Sequence, residues 1–281
     1  MSSRELSAGS KDAWEGAAAG WTRQADAMRV MGEPVAQWLV DAIDPKPGQE
    51  VLELAAGVGE TGFMAAARLL PGGRLISTDQ AEGMVAAARA RAEELGLENV
   101  EHRVMGAEWI DLPVASVDAV LCRWGYMLMG DCASALRESR RVLRAGGRIA
   151  LAVWDSLERN PWSLIPGEVL RARGLAPEFD PAVPGPFALG DPAQLTGLLE
   201  GAGFQDVTVG ALDLAMRYTD FDSFWAARLD ISPTLRGVVG DLSHAELEAL
   251  RADLRAALAP HTGGDGALDL PARTLVASAT A

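Results

Sequence analysis

Residues 51–62, VLELAAGVGETG, constrain the fold more than any other stretch of the chain. Val51, Leu52 and Leu54 form a short apolar run with Glu53 set inside it, and Ala55 to Gly59 follow as small residues. Thr61 to Leu70 then read as a helix, so the pattern predicts strand, tight turn and helix N-terminus. Glycine lets the backbone of such a turn come close to a ligand, and the helix end offers unpaired N–H groups and partial positive charge. Gly57 and Gly59 alone also fit an ordinary turn, and the next strand adds the weight. Arg74 to Thr78 runs into Asp79, twenty positions after Gly59. In doubly wound folds an acidic residue at about that distance closes the second strand and binds ribose hydroxyls. Such charge-assisted bonds are worth roughly 1.5–3 kcal/mol each when sheltered. Asp79 equally suits the cap of a helix starting near Ala81, and the two roles are compatible.

From this turn onward, strands and helices alternate. The sequence predicts strands near 50–55, 74–78, 99–104, 117–122 and 147–154, with helices near 61–70, 82–95 and 131–144. Strands separated by helices imply a parallel sheet covered on both faces. A helix near 191–202, a strand near 205–217, helices across 221–259 and a strand near 268–278 follow, the late strands reading as an antiparallel closing hairpin. The expected fold is therefore α/β, doubly wound and Rossmann-like, with a seven-stranded sheet that is mostly parallel and has an antiparallel last strand. Residues 1–10 read as loose and 12–43 as helical, Trp14, Ala18 and Trp21 lying on one face and Pro34 opening a second stretch lined by Val35, Leu39 and Ile43. Asp155 to Pro192 holds seven prolines and reads as irregular. We expect one domain over 1–281: an N-terminal helical lid (1–43), a core (44–154), and substrate-side insertions at 155–190 and 221–259.

Composition narrows the function. A net charge of −14 argues against nucleic acid and anionic membranes as partners. No run approaches 18 apolar residues and the first residues lack an apolar core segment, which predicts a cytoplasmic protein. Cys122 and Cys132 have neither metal-ligand nor disulfide-framework spacing, so no metal is expected. Arginine outnumbers lysine 23 to 2, which we read as genome composition.

Together these residues resemble the class I S-adenosylmethionine (SAM)-dependent methyltransferases, especially small-molecule enzymes related to the C-methyltransferases of ubiquinone and menaquinone synthesis. Glu53, Ala55, Gly57 and Gly59 match the family's first motif, with Ala55 where its first glycine usually stands. Asp79 matches the ribose ligand, and Gln80 and Met84 the turn and helix lining the adenine. Gly106, Ala107 and Glu108 match the segment after the third strand, with Gly106 where an acid facing the adenine amino group is usual and Glu108 a candidate substitute. The resemblance implies SAM as cofactor and S-adenosylhomocysteine as product.

Cys122-Arg123-Trp124 ends the fourth strand, where reacting atoms should meet. Arg123 is a candidate for the methionine carboxylate or an acidic substrate group, the alternative being an ion pair with Glu138 or Asp118. Trp14 and Trp21 (as an aromatic lid), Trp124, Trp162 and Trp225 are candidate substrate contacts; Phe179, Phe187, Phe221 and Phe224 could line the same cavity or simply the core. No Asn-Pro-Pro-Tyr is present, and that motif marks methylation of nucleic-acid bases and protein amides in the family. With the acidic charge, that absence points to a small-molecule acceptor. Arg159-Asn160-Pro161-Trp162 resembles a stretch common in quinone-type and natural-product methyltransferases, which implies an aromatic or natural-product-like acceptor, methylated at carbon or oxygen by in-line displacement, the protein acting as a monomer or homodimer. None of His102, His244 and His261 reads as a general base, and no catalytic residue is assigned. A non-methyltransferring SAM protein, cyclase-like or regulatory, is the competing class. A short-chain dehydrogenase would need a Tyr followed four residues later by Lys, but Tyr126 and Tyr218 are followed at that spacing by Gly130 and Asp222.

Overall fold

The computed structural model describes residues 3–281, with side chains from Lys11 onward. The chain opens with α1 (Ser3–Ile43), a single helix of 41 residues. At 1.5 Å per residue it is about 60 Å long, enough to cross a domain of this size end to end. Two expectations are corrected here. The stretch taken as loose is helical from Ser3, and Pro34 lies inside α1 instead of opening a new helix. The proline loses one backbone hydrogen bond, a cost of about 3 kcal/mol. Val35, Leu39 and Ile43, all buried, supply the apolar contact that carries the helix past it.

The sheet has seven strands in the order β3-β2-β1-β4-β5-β7-β6. β1 (Glu50–Glu53), β2 (Arg74–Asp79), β3 (Val100–Val104), β4 (Val117–Arg123) and β5 (Leu143–Trp154) are mutually parallel. β7 (Leu268–Thr280) runs antiparallel between β5 and β6 (Gln205–Tyr218), as the hairpin pattern predicts. Leu52 pairs with Ile76 on one side and Val120 on the other, so the order reverses at β1. Ligands of open α/β sheets bind at that reversal, beyond the carboxyl ends of the strands. Leu52, Leu75, Leu121, Ala150 and Leu151 are fully enclosed, and the burial of β5 on both faces matches its unbroken apolar run Ile149–Trp154.

Helices α2 (Glu60–Ala66), α3 (Glu82–Glu94) and α4 (Cys132–Val142) follow β1, β2 and β4 close to their expected places. The segment read as irregular is corrected: it contains α5 (Pro161–Ala172). Pro161 stands at the first helical position, where its missing N–H costs nothing, and Trp162, Ile165, Pro166 and Val169 keep a helical spacing that the proline count obscured. Beyond it lie α6 (Pro192–Gly201), α7 (Phe221–Ile231), α8 (Pro233–Gly240) and α9 (His244–Leu258). Ser243 and Glu246 form a reciprocal capping box on α9, which places His244 in an exposed first turn as expected. Among the described residues no helix is long and apolar enough to cross a membrane.

Candidate cofactor and acceptor site

At the end of β1 the chain turns through Ala55, Gly57 and Gly59, with φ of 49°, 56° and 95°. Left-handed backbone is natural for the two glycines, and a Cβ on Gly57 would point into open space, leaving room above the turn. Ala55 carries the same conformation with a side chain, a strain of about 1 kcal/mol or more. Trp124 is a second strained residue, with φ of 59°. A Cβ on Gly125 would sit 2.6 Å from that of Ala55, so the tip of β4 closes directly on the glycine turn.

Two buried carboxylates brace this turn. Glu53 accepts a hydrogen bond from the Gly62 N–H at 2.8 Å through Oε1, while Oε2 is buried without a partner. Burial pushes its carboxyl up to about 8, against the pull of the Gly62 N–H and the Arg123 charge. Asp79 accepts from Ala81 N–H through Oδ1 and from Gly57 N–H through Oδ2, each at 3.0 Å. Burial raises its carboxyl as well, opposed by those same backbone donors. Asp79 therefore holds the backbone of Ala81 and faces the glycine turn at once, but it does not cap α3, whose N-cap residue is Ala81 with no side-chain cap. Thr61 Oγ1, at the start of α2, is a further buried oxygen with no partner.

Above the turn lies α1. Ala17 and Ala18 pack with Val58, Ala81 and Met84, and Trp14 and Trp21 flank this cluster with their rings 5.9 Å apart, edge to face. The Trp21 Nε1–H is buried and unpaired. Glu15 accepts from the Gly83 N–H at 2.9 Å, pinning α1 to the start of α3. Further along, Arg23 and Gln24 both donate to the Asp230 carboxylate, and a Cβ on Gly20 would overlap the Asp230 carbonyl. α1 is thus strapped to α3 on the cofactor side and to α7 on the other.

Arg123 does not pair with Glu138 or Asp118. Those carboxylates bind Arg141 and Arg144, at 2.7 Å and 2.6 Å. Its guanidinium instead lies over the Trp124 ring at 4.8 Å and against Gly32 of α1, where any Cβ would overlap it. Glu53 and Glu60 are the acidic groups that act on it, and burial works against its charge. A cavity of about 360 Å³ adjoins it, lined by Gly32, Glu60, Phe63 and Met64 among others. Trp124 starts a ladder of indoles: it stacks on Trp154 at 4.4 Å, and Trp154 meets Trp162 at 5.0 Å. All three are buried, with Trp124 Nε1–H donating to Thr274 and Trp162 Nε1–H to Asn160.

The remaining candidates divide. Met84 is buried under α1, Gln80 sits beside it with a partner of its own, and Gly106 faces open space. Ala107 packs against the core, and Glu108 Oε1 accepts the Asp131 N–H at 2.6 Å. Trp225 is enclosed in α7 beneath Arg251. Phe187, Phe221 and Phe224 are buried in the core, and Phe179 stays exposed. His102 lies on β3 beside Phe63, its imidazole held below the usual range by burial. Burial pushes both thiols up to about 12, which removes a thiolate at neutral pH. Glu15 and Gly32 went unnoticed in the sequence, and Thr61 and Gly62 were read only as the start of a helix; glycines at 20 and 32 within a helical stretch were the available signal for α1.

A sheet reversal at β1, a glycine turn under a helix start and a carboxylate closing β2 define a nucleoside-binding protein of the doubly wound class. The methyltransferase domain family matches residues 51–147. Nocamycin O-methyltransferase from Saccharothrix syringae is 34% identical over 195 residues, covering 66% of this chain and 69% of that protein. A ubiquinone/menaquinone biosynthesis C-methyltransferase from Acidiphilium cryptum is 34% identical over 122 residues, covering 42% of this chain and 47% of that one. The YcgJ protein from Bacillus subtilis shares the fold, with a TM-score of 0.60 at 21% identity over 87% of this chain and 97% of its own. The chain belongs to the SAM-dependent methyltransferases, and SAM is its cofactor.

Proposed function

We propose that this protein methylates a small acceptor, aromatic or natural-product-like, at carbon or oxygen. The relatives named above divide between O- and C-methylation, so the acceptor atom stands open between the two. The observation that carries the reading is the ring of buried polar atoms without partners about the glycine turn: Glu53 Oε2, Thr61 Oγ1 and Trp21 Nε1. An unpartnered buried polar atom costs about 1–3 kcal/mol. Several around one turn that also has open space fit a polar ligand seated there.

In this reading the cofactor site comprises Glu53, Ala55, Gly57, Gly59, Asp79, Gln80, Met84, Gly106, Ala107, Glu108 and Arg123, with Trp14 and Trp21 as its roof. When bound, SAM supplies a methyl carbon that takes the acceptor's electron pair as the carbon–sulfur bond breaks and its electrons pass to sulfur. Asp79 holds the ribose hydroxyls, and Arg123 sits where a carboxylate is neutralised. α1 covers the turn and keeps water out, and the strapped, rigid walls fix the approach; alignment of this kind is worth up to about 7–11 kcal/mol. Residues 1–43 act as lid, 44–154 as cofactor core, and 155–190 with 221–259 as the acceptor side of one domain. The acidic net charge of −14 favours a small acceptor over a polyanion and suits a cytoplasmic monomer or homodimer.

The test is product analysis. Incubation with SAM and a panel of phenols, quinols and aromatic acids should release S-adenosylhomocysteine and add one methylene mass to an acceptor. An acceptor rearranged at constant mass, with SAM intact, would replace the methyltransferase reading with a cyclase.

A further inference from the structure

Among the described residues, Arg89, Arg123, Arg159 and Arg228 have neither a hydrogen bond nor an ion pair. Arg89 and Arg159 are exposed, where water serves them. Arg123 and Arg228 are half-buried under aromatic rings, and they stand at opposite ends of the indole ladder. The Arg228 guanidinium lies over Trp162 at 4.8 Å, as Arg123 lies over Trp124. Its Nε is enclosed and unpaired. The Asp230 carboxylate, two residues on, is already taken by Arg23 and Gln24. The Tyr218 hydroxyl, which interacts with Arg228, has only a 3.9 Å contact to Met216 Sδ. Arg228 thus lies against Trp162, under the influence of Tyr218, as a cation that no carboxylate among the described residues pairs with.

Enclosing the Nε of such a cation is costly unless something pairs with it, and its planar fork matches a carboxylate or similarly delocalised oxyanion bidentately. The ladder runs from the glycine turn, through Trp124, Trp154 and Trp162, to Arg228, on the helix that the α1 strap ties to the cofactor side. We propose that Arg228, with the Tyr218 hydroxyl, binds an acidic group of the methyl acceptor, so that the acceptor is an aromatic organic acid. The inference rests on the methyltransferase reading above and deepens it by naming the substrate's charge.

Calorimetry with 2-naphthoate and its uncharged counterpart 2-naphthamide tests it, on the full chain with S-adenosylhomocysteine present, for the wild type, Arg228→Met and Arg228→Lys. The wild type should bind naphthoate at least tenfold more tightly than the amide. Arg228→Met should lose that preference, Arg228→Lys should keep part of it, and both should bind SAM within twofold of the wild type. Equal binding of the two probes by the wild type, no binding of naphthoate at millimolar concentration, or a preference that survives in Arg228→Met would each overturn the proposal. Failure of the wild type to bind SAM would instead sink the underlying function, which separates the two failures.

Discussion

Replacing Glu53 by glutamine should make the ligand-free protein more stable, increasingly so as pH rises. Burial holds the Glu53 carboxyl at about 8 in the folded protein, against an ordinary value of 4.5. Between those values the folded chain keeps a proton that the unfolded chain has released. Stability therefore falls as pH rises from about 4.5 to about 8 and is flat above, the slope per pH unit being about 1.4 kcal/mol. Over the whole window the loss is a few kcal/mol, a large share of the total stability of an ordinary domain. Glutamine fills the same space, accepts the Gly62 N–H through its oxygen and does not titrate. Urea unfolding of wild type and Glu53→Gln at pH 5, 6.5 and 8 measures the difference directly, and contributions from other titrating groups largely cancel. We expect the gap to widen steadily with pH while SAM affinity falls at least tenfold, a stability cost retained for binding. A gap that is constant with pH would refute the buried, protonated carboxyl.

Three further outcomes follow from the geometry. Deleting residues 1–24 removes Glu15, Trp21 and the Arg23 and Gln24 ties to Asp230, and should weaken SAM binding tenfold or more with the sheet's circular dichroism retained; unchanged affinity would remove the roof from the account. Asn160→Ala should lower unfolding free energy by about 3 kcal/mol or more in urea titrations, since the enclosed amide donates to Asp155, Ser156 and Arg273 carbonyls and accepts from Trp162 and Arg273 N–H; a loss under 1 kcal/mol would contradict this. Ser243→Ala should cost about 0.5–2 kcal/mol through the lost cap on α9, with SAM affinity unaltered, which paired unfolding and binding measurements would check.

The core of the fold was legible because its signals are local. The run into Glu53, the small residues to Gly59 and the spacing to Asp79 each follow from strand period, turn conformation and helix start. The closing hairpin was legible for the same reason. What the sequence concealed depends on contacts far apart in the chain. Nothing near Pro34 says that a helix will run through it, because the support comes from packing of Val35 and Leu39 onto the sheet. Arg123 looked free to pair with Glu138, but Arg141 is three residues from that carboxylate and takes it first. Trp162, read as a candidate substrate contact, follows an asparagine whose role the sequence did not show. Asn160 ties the start of α5 to β7, and only Trp162 joins the indole ladder. Arg228 carried no local signal, since its isolation among aromatic rings exists only in the folded chain.

The central claim is that SAM binds on the glycine turn with Asp79 holding its ribose, and titration calorimetry of wild type and Asp79→Ala with SAM, S-adenosylhomocysteine and NAD tests it most directly. The account predicts micromolar binding of the first two ligands by the wild type, none of NAD, and at least a tenfold loss in Asp79→Ala. SAM affinity within twofold of wild type in that variant would contradict it.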